Sequence, residues 1–142
     1  MKIQRTVETT AAPAAAFAYL SDFTTTTEWD PGTITTERVS GDGGVGTVYR
    51  NVSEFNGKES ELRYEVVELV PERRFALTGE SKAVHADDTM EFEPTGTGTR
   101  VTYTADIRFK GALKLAEPFL GKVFKKLGDE AESGMREALA KL

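Results

Sequence analysis

Apolar and polar positions alternate along residues 2–10, with Ile3, Arg5 and Val7 on one side and Gln4, Thr6 and Glu8 on the other. A period of two predicts a half-buried strand. Pro13 then stands before Ala14, Ala15, Ala16, Phe17, Ala18, Tyr19 and Leu20. A proline in the first turn of an alanine-rich run predicts a short helix. Ser21 or Asp22 can cap a second short turn that reaches Trp29. Asp30-Pro31-Gly32 ends it, because proline turns the preceding residue away from helical geometry.

Turn signals punctuate the next stretch: Gly41-Asp42-Gly43-Gly44, Asn56-Gly57, Pro71-Glu72, a break near Ser81, and Thr95-Gly96-Thr97-Gly98. Segments rich in Thr, Val, Tyr and Phe between them predict six strands near 33–40, 46–55, 59–70, 73–80, 83–94 and 98–109. The short connections imply antiparallel pairing in sequence order. Leu120, Val123, Phe124, Leu127, Ala131, Met135, Ala138 and Leu142 then recur at helical spacing, with charged residues between. A long helix over 116–141 follows, with Pro118 opening or kinking its first turn.

The order strand, two short helices, six strands, long helix is an α+β architecture within one domain spanning 1–142. A twisted seven-stranded antiparallel sheet can curl around the terminal helix and cover its apolar face. The concave side of such a sheet is deeper than one helix can fill, so the gap is either packed with large side chains or left as a pocket.

Strand parity names the residues that face this interior. Leu62, Tyr64 and Val66 share a face, as do Val101, Tyr103, Ala105 and Ile107. Phe75 and Leu77 pair on the next strand, while Arg50 and Glu54 facing water would turn Tyr49, Asn51 and Ser53 inward. Met90 and Phe92 carry Ala86 and Asp88 in with them unless a bulge intervenes. Apolar walls with a few fixed polar groups suit a small hydrophobic molecule. The candidate ligand-binding residues are Trp29, Tyr49, Asn51, Tyr64, Met90, Phe92, Tyr103, Phe119, Val123 and Leu127. Arg5 shares the parity of Ile3 and Val7, so it either reaches Asp88 inside or snorkels out at the sheet end.

Composition narrows the chemistry. Hydrophobic residues at 39% exclude a disordered chain. No cysteine is present, and there is one histidine, so thiolate sites and multi-imidazole sites are excluded. His85 falls opposite Met90 and Phe92, toward solvent, and no metal or cofactor site is expected around it. The net charge of −5, without clustered bases, argues against nucleic acid as a partner. No apolar run is long enough for stable membrane insertion, and the first residues lack a secretory apolar stretch, so the expected location is cytoplasmic. The expected state is a monomer or weak homodimer.

Gly41-Asp42-Gly43-Gly44-Val45-Gly46 matches G-x-G-x-x-G, but a strand-like Thr47–Val52 follows where a dinucleotide site needs a helix. It reads as a hairpin turn. Gly121 and Gly128 predict close packing of the terminal helix on the sheet. Trp29 is either a core anchor or a residue at the pocket mouth.

The run Ala11-Ala12-Pro13, Phe17 through Phe23 and Glu28-Trp29-Asp30-Pro31-Gly32 resembles the opening of the polyketide cyclase/dehydrase and lipid-transport superfamily, the START-like helix-grip group. Gly44-Val45-Gly46-Thr47, Tyr64-Glu65-Val66-Val67, Pro71-Glu72-Arg73-Arg74 and Gly98 through Tyr103 continue the resemblance. It implies a cavity between sheet and terminal helix that takes a lipid-like or polycyclic aromatic guest. A cyclase or dehydrase using the same cavity is the alternative, with Asp88 as the candidate acid. No shared catalytic motif transfers. An interaction module on the outer sheet face is a third class, disfavoured because the outward positions are mostly Thr, Glu and Arg.

Overall fold

Pro13 fixes the first turn of helix α1 (Pro13–Leu20), with Ala12 at its cap. The Asp22 side chain accepts from the Thr24 backbone N–H and starts a single 3-10 turn, Phe23–Thr25, which leads into α2 (Thr26–Trp29). Asp30 is extended and ends α2. The structure is a computed structural model that describes residues 1–142.

Strand β1 (Lys2–Thr9) precedes these helices, and β2 (Thr33–Ser40), β3 (Val48–Phe55), β4 (Lys58–Val70), β5 (Arg74–Glu80), β6 (Val84–Pro94) and β7 (Thr99–Phe109) follow them. They form a seven-stranded sheet in the order β1-β7-β6-β5-β4-β3-β2, with every pair antiparallel. Successive hairpins build six of the strands, and β1 returns to pair with the last. The glycine-rich hexad is the β2–β3 hairpin: Gly41, Gly43 and Gly46 have positive φ, and a strand follows.

Parity holds without a shift along β6, so Ala86, Asp88, Met90 and Phe92 are all buried on one face. A bulge in β4 between Val66 and Glu68 resets the alternation, which brings Leu69 onto the core. Charges decorate the outer face, where Arg50 bridges Glu37 and Glu61, and Arg100 bridges Glu8 and Glu93. His85 sits there too, between Glu80 and Asp87.

The terminal helix α3 spans Gly121–Ala140, shorter than the 116–141 expected from periodicity. Residues Gly111–Phe119 form a 3-10 segment instead. Pro118 has no N–H to donate to an α-helical ladder, and this segment leaves the sheet surface with none of its residues buried. The packed face of α3 is Phe124, Gly128, Ala131, Met135 and Leu139.

The core has two parts. A large cluster gathers Trp29, Tyr64, Phe75, Met90, Phe92 and Met135 among others. A smaller one, Ile3, Ala105, Phe109 and Phe124, is linked to it through the half-buried Val84, Tyr103 and Ile107.

Candidate functional site

Between the two clusters lies a cavity of about 180 Å³. Its floor comes from the concave face of the sheet, through Leu62, Ala86 and Ala105. Its roof comes from α3, through Phe124, Leu127, Gly128 and Ala131. Phe23, Thr26, Trp29 and Asp30, from the short helices and the residue that ends them, close one side. The wall is mainly apolar, and its polar residues include Asp30, Asn51, Glu54, Tyr64, Asp88 and Tyr103 beside serines and threonines.

Asp88 on β6 is flanked by two tyrosines. The Tyr103 hydroxyl, from β7, donates to Asp88 Oδ2 at 3.0 Å. Tyr64 comes from the other side. Its ring lies across Gly79 of β5, where a Cβ would stand 2.6 Å from Tyr64 Cε1. Only a glycine leaves room for the ring to cross β5 toward β6. Burial is the main influence on Asp88: it pushes the carboxyl up to about 7, opposed by the Tyr103 hydrogen bond and reinforced by Asp30 and Asp87. Burial likewise raises both tyrosines well above their ordinary range, with Asp88 and Asp30 adding to the effect.

Asp30 is held differently. Its oxygens accept from the Gly32 N–H and the Thr33 hydroxyl, each at 3.1 Å. Burial still raises its pKa above the ordinary carboxylate value, and those hydrogen bonds act the other way. Asn51 donates to Thr36 Oγ1 at 2.8 Å and accepts from Ser53 Oγ at 2.7 Å, so its amide is engaged within the protein. Trp29 stands edge-on to Tyr103 at 5.6 Å between centroids, and its indole N–H has no protein acceptor.

Of the ten predicted ligand-binding residues, the structure places Trp29, Asn51, Tyr64, Tyr103 and Leu127 in the cavity wall, together with Asp88. The others lie elsewhere. Tyr49, Met90 and Phe92 do point inward, but neighbours cover them: Phe17 packs edge-on to Phe92 at 5.1 Å, and Phe23 tilts against Tyr49 at 5.7 Å. Val123 is outside the wall because α3 presents Phe124 and Leu127 to the cavity instead. Phe119 is 83% exposed, at the end of the 3-10 segment that leaves the sheet.

Arg5 and Asp88 do not pair. The Arg5 guanidinium turns to α3, with Nη2 3.0 Å from Asp129 Oδ1 and 3.4 Å from the Lys125 carbonyl. The strand sits so close to the helix here that a Cβ on Gly128 would approach Arg5 Nη2 to 2.8 Å. Gly121 meets nothing, so the close packing expected of both glycines holds at Gly128 alone. Gly134, which sequence reasoning passed over, lies against the Trp29 carbonyl, where a Cβ would stand only 2.0 Å away. Sequence reasoning also missed Phe124 and Asp30 as wall residues. The signal for Phe124 was present in the helical period; Asp30 read as a helix terminator.

The family model for polyketide cyclase/dehydrase and lipid transport matches residues 1–142. The chain belongs to this family. Among solved structures it is similar to the Zhui aromatase/cyclase from Streptomyces sp. R1128, with a TM-score of 0.83 at 16% identity over 98% of this chain and 93% of that one. It is also similar to the protein TTHA0849 from Thermus thermophilus, with a TM-score of 0.79 at 20% identity over 98% and 95%. A START superfamily protein from Mycobacterium smegmatis gives 0.81 at 14% over 97% and 96%. These likenesses establish the helix-grip fold. No curated protein matches the sequence. No helix is long and apolar enough to cross a membrane.

Proposed function

We propose that this family member binds a compact hydrophobic molecule of one or two rings in the cavity between sheet and α3. The observation that carries this is the hollow itself. The hollow of about 180 Å³ is open on one side and walled mainly by apolar side chains, so a small apolar guest can enter it and leave water, which supports an occupant. Size selects among the guests expected from sequence: an engineered cavity of about 150 Å³ accepts benzene. The hollow therefore favours a ring-sized guest over a long acyl chain or a four-ring polycycle. Burying about six methylene-sized groups gains ~5 kcal/mol, which sets the apolar part of the affinity in the submillimolar range.

The test is naphthalene binding, followed by fluorescence, in the unaltered chain and in Ala131→Leu. Ala131 is buried in the cavity roof, so the added side chain enters the hollow. The expected result is saturable binding to the unaltered chain and at least ~10-fold weaker binding to the variant. Equal binding to both would place the probe outside the hollow.

A second reading, a cyclase- or dehydrase-type enzyme, is supported by Asp88. A carboxyl poised near 7 beside a tyrosine hydroxyl suits general acid or base work at neutral pH. It predicts that the chain accelerates deuterium exchange α to the carbonyl of a small ring ketone such as 2-tetralone, and that Asp88→Asn abolishes the acceleration. No acceleration in the unaltered chain rejects the enzyme reading and leaves binding.

A further inference from the structure

The wall contains Asp30, Glu54 and Asp88 and no Lys, Arg or His. Arg5, the base on the inner face of β1, is held by Asp129 and Glu132 of α3. The polar groups of the wall differ in what they have left to offer. Asp30 spends its oxygens on Gly32 and Thr33, and Asn51 spends its amide on Thr36 and Ser53. Asp88 spends one oxygen on Tyr103. The second Asp88 oxygen, the Tyr64 hydroxyl and the Trp29 indole N–H make no hydrogen bond within the protein, and all three side chains line the hollow.

We propose that the cavity selects an uncharged ring compound bearing a hydroxyl or ketone oxygen, recognised by Tyr64 and Asp88, and that it rejects carboxylates. The proposal rests on the reading of the hollow as a binding site. The Tyr64 O–H donates to a guest oxygen. A guest hydroxyl can in turn donate to the free Asp88 oxygen, and a protonated Asp88 can donate to a ketone. A carboxylate guest would add a negative charge beside Asp88 and Asp30 in a space that supplies no cation. Desolvation and like-charge repulsion both oppose it. The upward push on both aspartates by burial shows that this environment already disfavours negative charge. Free fatty acids and aromatic acids are thereby excluded, and phenols and ring ketones are admitted.

The experiment compares naphthalene, 2-naphthol and 2-naphthoate as ligands of the unaltered chain at neutral pH by calorimetry. The expected order is 2-naphthol, then naphthalene about 10-fold weaker, then 2-naphthoate at least ~100-fold weaker than 2-naphthol. Tyr64→Phe narrows the gap between 2-naphthol and naphthalene. Asp88→Asn, close in shape to the native side chain, narrows the gap between 2-naphthol and 2-naphthoate by about 10-fold. Naphthoate binding as well as naphthol, or naphthol binding no better than naphthalene, overturns the proposal while sparing the cavity reading. Failure of all three to bind defeats the cavity reading and this proposal with it.

Discussion

At Gly79 a missing side chain decides where a tyrosine lies. The Tyr64 ring occupies the space a Cβ would fill, with ring atoms 2.6–2.9 Å from that position. Gly79→Ala therefore forces the ring or the strand to move. We expect a loss of about 1–3 kcal/mol in denaturant unfolding and weakened 2-naphthol binding, because the Tyr64 hydroxyl leaves its place beside Asp88. Asp88 carries a pH signature. Its carboxyl binds a proton more tightly in the folded chain than in the unfolded one, since burial raises it from the ordinary 3.8 to about 7. Its contribution to stability is then full below 3.8 and is lost as pH climbs from there through about 7. Asp30 acts in the same direction. Thermal melts across this window should show the unaltered chain losing about 2–4 kcal/mol relative to Asp88→Asn. Parallel pH profiles for the two proteins would show that the buried carboxyl does not titrate as argued.

At the scale of elements, strands were legible because burial on one face imposes strict alternation. The six strands after Pro31 appear within about two residues of the expected limits. The inward set of β6, including Asp88, followed from parity alone, since no bulge interrupts that strand. Parity says which face a residue occupies and not what covers it. Met90 and Phe92 share the Asp88 face but lie under the α1 end of the sheet, where Phe17 seals Phe92. The expected start of α3 fails because apolar spacing continues through a segment that Pro118 keeps in tighter turns. The tight seat of Gly134 against the Trp29 carbonyl, where a Cβ would not fit, left no trace in the hydrophobic pattern. Gly134→Ala should cost at least ~2 kcal/mol, because the obstructing atom is backbone and cannot swing aside. Ala131→Leu, three residues away on the same helix, should instead raise stability by about 0.5–2 kcal/mol by filling the hollow while it blocks binding. Chemical denaturation of the two variants side by side checks both; destabilisation by Ala131→Leu would mean that the roof has no spare volume.

Across the whole molecule, the apolar interior gathers into two clusters, bridged by Val84, Tyr103 and Ile107, with a hollow lined by members of both. The larger cluster ties α1, α2 and the centre of the sheet to the last turns of α3. The smaller one joins β1 and β7 to the first turns of α3. The cavity lies where these meet, so α3 serves as the roof and the sheet as a cradle. Exposed apolar side chains concentrate elsewhere, with Leu115 and Phe119 on the 3-10 segment 78% and 83% exposed. They offer an alternative place for an apolar probe to stick, and the decisive measurement separates the two. Intermolecular nuclear Overhauser effects between 2-naphthol and the isotope-labelled chain should connect the guest to methyl groups of Leu62, Ala86, Leu127 and Ala131. Contacts confined to Leu115 and Phe119, or none at all at saturating 2-naphthol, would contradict the account.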